Sequence, residues 1–80
     1  MRLPRDLSGD QLAKVLSRLG YEPTRQTGSH LRLTTQRGGQ HHVTIPRHRS
    51  LSVGTLAGVL KEAAAHLGRP RREIERELFG

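Results

Sequence analysis

The 80-residue sequence predicts an α+β fold in which a three-stranded antiparallel sheet packs on two helices. Three observations carry that expectation. An apolar stripe of helical period lies near the start, three Thr- and Val-rich stretches are separated by glycine-bearing turns, and a second helical stripe ends at Gly68. A chain of this length can build one small core, so residues 1–80 are expected to form one domain, with its core over 9–67 and a helical tail over 69–80.

Ser8 and Gln11 have the spacing of a capping box, in which each side chain satisfies a backbone N–H near a helix start. Leu12, Val15, Leu16 and Leu19 then recur at helical intervals before Gly20, which predicts a helix over 9–19. Strands are expected over 21–27, 30–36 and 40–46, with hairpin turns at Gly28-Ser29 and Arg37-Gly38-Gly39. The first strand is the weakest, because Glu22, Thr24 and Gln26 suit a core poorly and Pro23 favours an edge. Ser52 is a candidate N-cap for a helix whose Leu56, Val59, Leu60, Ala63 and Leu67 form one stripe. That helix is expected beside the first one, on the leucine side of the sheet. Pro70 opens a third helical segment, 71–79, whose many charges predict a loosely docked tail.

The register follows from keeping one sheet face dry. Leu31 and Leu33 must share that face with Val43 and Ile45, which pairs Leu31 with Ile45 and Leu33 with Val43. Alternation then sends His30, Arg32, Thr34, His42, Thr44 and Pro46 to the other face. A two-residue Gly28-Ser29 turn brings Arg25 opposite Arg32 there. His41 points to the opposite side from His42, so these neighbours do not form a chelating pair. The order α-β-β-β-α with a short C-terminal helix resembles the double-stranded-RNA-binding fold.

Charge narrows the partner. Fourteen Lys and Arg against seven Asp and Glu give a formal net charge of +7, which suits a polyanion. From Pro23 to Lys61 there is no Asp or Glu, while Arg25, Arg32, Arg37, Arg47, Arg49, Lys61 and four histidines fall there. A metal-dependent nuclease holds its ions with carboxylates, so the lack of Asp and Glu from Pro23 to Lys61 predicts chemistry without metal or other cofactor. The absence of cysteine excludes disulfides, thiolate catalysis and cysteine-bound zinc. Tyr21 and Phe79 are the only aromatic residues besides histidine, so base stacking on the sheet and strong sequence readout are not expected. The start, Met1 to Gly9, reads as neither a secretory leader nor a membrane span, and a cytoplasmic location is the default expectation.

Several elements together carry a family resemblance: Gly20-Tyr21 after a helix, Arg25-Gln26-Thr27-Gly28-Ser29-His30 across a hairpin, Val43-Thr44-Ile45-Pro46, and Gly54-Thr55-Leu56 opening a helix. In this order, from about Gly9 to Leu67, they resemble the HicA toxin family, small ribonucleases held inactive by a HicB antitoxin. The resemblance implies that His30 is the catalytic histidine, that the substrate is mRNA, and that a HicB-like antitoxin covers the His30 face. The stretch from Thr35 to His42 and the basic tail from Arg69 depart from the family pattern.

The residues support related chemistry on their own. A histidine titrates near neutral pH and can take a proton from a 2′-hydroxyl or give one to a leaving 5′-oxygen. Gly28 and Ser29 leave His30 accessible at a turn, and Arg25 and Arg32 are candidates to clamp a phosphate. His42 is a candidate second acid or base on the same face, or a phosphate contact. Arg47 and Arg49 flank His48 in a loop suited to RNA backbone contact or simply to solvent. Gly54-Thr55-Leu56 reads as a helix entry that could hold a phosphate, with close packing the commoner use. Arg69, Arg71, Arg72 and Arg76 interleave with glutamates and read as exposed helix pairs. A non-catalytic RNA-binding module of the same fold is the main alternative, and a DNA-binding or protein-interaction domain the next.

Overall fold

A computed structural model describes residues 3–80; Met1 and Arg2, part of the start read above, lie outside the described residues. Helix α1 spans Gly9–Leu16 and opens with the expected box: the Ser8 hydroxyl accepts from the Gln11 N–H, and the Gln11 side chain accepts from the Ser8 N–H. The predicted helix over 9–19 ends early in regular form, because Ser17–Leu19 tightens into a 3₁₀ turn before Gly20 takes the left-handed conformation at φ 86°. Such tightening satisfies carbonyls at a helix end and turns the chain sharply. Tyr21 consequently drops into the core, where it is fully buried.

Strands β1 (Glu22–Thr27), β2 (His30–Thr35) and β3 (His41–Pro46) follow, in the spatial order β1-β2-β3. Leu31 faces Ile45, Leu33 faces Val43, and Arg25 faces Arg32, as the one-dry-face argument requires. The β2–β3 connection is longer than the three residues expected, since pairing ends at Thr35–His41. Between Pro23 and Arg25 the register shifts through a bulge, and every residue of β1 is exposed. Proline and a bulge both blunt an edge strand.

Helices α2 (Val53–Leu67) and α3 (Arg71–Phe79) complete the chain. Ser52 caps α2 by accepting from the Thr55 N–H, and Gly68 closes it at φ 67°. Leu12, Leu16 and Leu19, Leu33, Val43 and Ile45, and Leu56 and Leu60 meet in one apolar cluster on the dry side of the sheet. The cluster extends to Ile74 and Leu78, so α3 is seated on it rather than loosely docked. The charges of α3 are disposed around that apolar edge: Arg69 bridges Glu73 and Glu77, and Arg71 Nε lies 2.7 Å from Glu75 Oε2. Glu75 is nevertheless buried, and the Arg71 contact lacks hydrogen-bond alignment at that oxygen. The expectation of fully exposed pairs therefore fails at this one carboxylate, which sits next to Ile74 on the packed side of the helix.

One close approach ties the elements together at the turn end of the sheet. A Cβ at Gly9 would collide with the Pro46 carbonyl oxygen, so only glycine lets α1 start against the end of β3. The Gly9 N–H donates to the His48 carbonyl and the Leu51 N–H to the Leu7 carbonyl, pinning the β3–α2 connection to the chain that enters α1.

Candidate nucleic-acid interface

The face of the sheet opposite the helices carries the candidate site, arranged in rungs across the strands. Thr27, His30 and Pro46 form the rung nearest the β1–β2 turn, and Arg25, Arg32 and Thr44 form the next. Alternation at a period of two makes these side chains share a face. Gly28 has a φ of 55° and Ser29 does not enter the positive region, which matches a two-residue turn with glycine first. The Ser29 carbonyl accepts from the Arg47 N–H at 2.6 Å, so the turn that presents His30 is braced by the end of β3.

Arg25, Thr27, His30, Arg32 and Thr44 line an open pocket of about 220 Å³. His30 is exposed, and among the described residues no side chain is hydrogen bonded to its ring. Neither Arg25 nor Arg32 is paired with a carboxylate among the described residues. Two guanidiniums and an imidazole converging on a pocket that no acid lines form a cationic recess of a size that suits a phosphate group. Thr27 and Thr44 join the predicted residues here. Both lay within reach of the alternation argument, Thr27 two residues after Arg25 and Thr44 opposite Arg32.

The other predicted residues are distributed differently. Gly28 and Ser29 shape the turn but do not line the pocket. Arg47 turns away from it and forms a two-pronged pair with Asp10, 2.8 and 2.9 Å long, at the start of α1. The Arg47 guanidinium holds the Asp10 carboxyl below its usual range, first through these hydrogen bonds and then through charge. Nε and one Nη of Arg47 are engaged by this carboxylate near a helix N-terminus, where an acid is favoured, and Arg47 does not line the pocket. Arg49 stays exposed and without a carboxylate partner among the described residues, outside the pocket. The start of α2 is served from within, since Ser52 accepts from Thr55.

His42 is exposed on the site face, opposite Thr34. Its register position is four residues from that of His30, roughly 13 Å along the strands at ~3.3 Å per residue. That separation is too large for both rings to act on one phosphodiester, which argues against His42 as the proton-transfer partner. Thr34, expected on an open polar face, is in fact only 8 % exposed. Its hydroxyl lies 2.7 Å from both the Thr24 hydroxyl and His42 Nδ1, so neighbouring side chains close over it.

His41, as expected, lies on the packed side. Its Nδ1 is 2.9 Å from the buried Tyr21 hydroxyl, and its ring stacks on His66 at 4.4 Å between centroids. His66 Nε2 lies 2.9 and 3.0 Å from the Arg37 and Gly39 carbonyls, so it donates to this pair of acceptors and fastens the β2–β3 turn to α2. Burial, with the neighbouring His66 and His42 charges, pushes His41 below the ordinary imidazole range, and Glu62 opposes the shift. Burial, with the Glu62 charge, pushes Tyr21 up to about 12.

No curated protein and no solved structure matches this chain. Residues 9–65 match the family model described as "HicA toxin of bacterial toxin-antitoxin". The match begins at the glycine on which α1 abuts β3, takes in all three strands, and stops near the end of α2. With most of its length covered, the chain belongs to the HicA toxin family of bacterial toxin–antitoxin systems.

Proposed function

We propose that this toxin is a metal-independent endoribonuclease that cleaves mRNA and so blocks translation in the cytoplasm. The observation that carries the proposal is the pocket in which His30 stands beside Arg25 and Arg32 with no carboxylate in its lining. His30 serves as the acid or base: it accepts the 2′-hydroxyl proton as the 2′-oxygen attacks phosphorus, or supplies a proton to the departing 5′-oxygen. Arg25 and Arg32 hold the phosphate and stabilise the charge that gathers on its oxygens. A 2′-hydroxyl nucleophile makes RNA, rather than DNA, the substrate.

Regulation by an antitoxin partner agrees with the same geometry. Among the described residues no helix covers the His30 face, and its charge favours an acidic protein surface. A HicB-like antitoxin lying across the β1–β2 turn and the arginine rung would exclude RNA by occupying that pocket. No helix among the described residues is long and apolar enough to cross a membrane.

The test is cleavage of RNA and of a 2′-deoxy counterpart by wild-type and His30→Ala protein in the presence of a chelator. Cleavage of RNA alone, lost in the variant, is the expected outcome. Dependence on a metal, turnover of the 2′-deoxy strand, or equal activity of the variant would overturn the proposal. Retained RNA binding with no cleavage by either protein would favour a non-catalytic binding module instead.

A further inference from the structure

Beyond the His30 pocket, the same face carries a second fixed imidazole. His42 Nδ1 lies 2.7 Å from the Thr34 hydroxyl, which lies 2.7 Å from the Thr24 hydroxyl, and Thr24 donates to the Arg32 carbonyl at 3.4 Å. A carbonyl can only accept, so where Thr24 donates to Arg32 the chain is completed by Thr34 donating to Thr24 and His42 Nδ1–H donating to Thr34; the opposite tautomer has Thr34 donating to Nδ1. The arrangement suits an imidazole that carries a proton on Nδ1, and Nδ1 is turned toward the sheet. Nε2, on the other side of the ring, has no hydrogen-bond partner among the described residues, and the His42 side chain is exposed. Thr34 is held in place by its burial, so the ring has a defined orientation instead of sweeping through solvent.

The position of this ring gives it a use. Successive rungs on one face lie about 6.6 Å apart along the strands. His30 stands on the first, Arg25 and Arg32 on the second, and Thr34 with His42 on the third. The third rung also includes Glu22, but two strands away from His42, on the far side of Thr34. A track of His30, Arg25, Arg32 and His42 therefore runs along the sheet face, with a step close to the phosphate-to-phosphate reach of an extended single strand.

We infer that His42 is a phosphate subsite for single-stranded RNA, binding a phosphodiester farther along the strand from the one held in the pocket of His30, Arg25 and Arg32, with the RNA lying parallel to the strands. Thr34 is the positioning residue that turns Nε2 outward. This inference rests on the proposed function for the identity of the reacting phosphate, but the binding it describes does not depend on cleavage.

Two measurements separate the two ideas. In cleavage assays, a dinucleotide offers a single phosphate and a tetranucleotide three, enough to span from the first rung to the third. His42→Ala is expected to raise KM for the tetranucleotide about tenfold, the loss of one hydrogen bond to a charged group, with little change in kcat. The dinucleotide is expected to be far less affected. Thr34→Val should reproduce the KM effect in weaker form and Thr34→Ser should restore it, a recovery that a purely packing role would not give. Equal effects on both substrates, or a valine variant indistinguishable from the serine one, would overturn the inference.

In the His30→Ala background, where cleavage plays no part, binding of a single-stranded RNA is followed against salt at about pH 6. His42→Ala is expected to reduce the slope of log affinity against log salt by about 0.7, the share of one phosphate contact on a single strand. An unchanged slope would overturn the subsite whether or not the protein proves to be a ribonuclease. Absence of cleavage by the wild type with the slope change present would leave the subsite standing and remove the enzyme reading.

Discussion

Two ends of one small sheet treat histidine in opposite ways. At the β1–β2 turn, His30 stands exposed beside Arg25 and Arg32, with no side-chain hydrogen bond among the described residues. At the β2–β3 end, His41 is held between the Tyr21 hydroxyl and the stacked ring of His66, and His66 in turn grips two carbonyls of the turn. The first arrangement leaves a titratable group available to a ligand at the expense of any contribution to packing. The second commits one nitrogen of each ring to a structural contact, and that of His66 holds the hairpin to a helix. Residue type alone does not distinguish them; the surroundings do.

The contrast is sharpest in what each end loses on substitution. His30→Ala should reduce RNA cleavage by about a hundred- to ten-thousandfold, the usual worth of a positioned acid or base, while leaving the thermal midpoint where it was. Comparison of cleavage rates and melting curves for the two proteins checks both halves. A variant that loses stability along with activity would break the contrast, by showing that His30 also supports the fold.

The open end is not free of structural demand in its backbone. Gly9→Ala should destabilise by roughly 1–3 kcal/mol, because the added methyl meets the Pro46 carbonyl and either α1 or β3 must shift. Since Ser29 is braced by the residue after Pro46, activity should fall beyond what the lost stability explains. Chemical denaturation combined with cleavage at a temperature where both proteins are folded measures the two effects separately.

At the closed end, Tyr21→Phe should cost about 1 kcal/mol by leaving His41 Nδ1 without its partner. For a domain of this size that corresponds to a fall of about 4–8 °C in Tm, read by thermal melting. Activity per folded molecule should be unchanged, and a selective loss of activity instead would connect the two ends.

The smallest expected effect is on pH. The folded chain holds His41 below its ordinary value of 6.5, so between that value and the lowered one the unfolded chain binds more protons. Stability should therefore decline as pH falls below about 6.5 and should not depend on this group above it. His41→Gln should flatten that decline in urea titrations repeated across the range. Unaltered pH dependence would show that the ring is not the group being disfavoured.

Much of this was readable along the chain because it depends on neighbours in sequence. Ser8 and Gln11 cap a helix three residues apart, and Gly28-Ser29 sets a turn that aligns Arg25 with Arg32. The dry face required Leu31 opposite Ile45, and the cationic face followed from that pairing. The features not anticipated join residues far apart. Arg47 found Asp10 across the start of α1, His41 found His66 on α2, and Thr34 was covered by Thr24 through a bulge that strand periodicity does not announce. The charged segment 71–79 looked too polar to dock, yet Ile74 and Leu78 one turn apart are enough to seat it.

The sequence by itself determined the order of the elements, the register of β2 against β3 and the sidedness of the sheet, since each follows from periodicity, caps and turns that act over a few residues. Only the tertiary structure decided which charges and imidazoles remain available. A side chain is free or engaged according to what packing brings against it, and Arg47 and His41 were engaged by partners that no local pattern points to. Arg25, Arg32 and His30 were left facing one pocket because the helices that form the core all lie on the other side of the sheet.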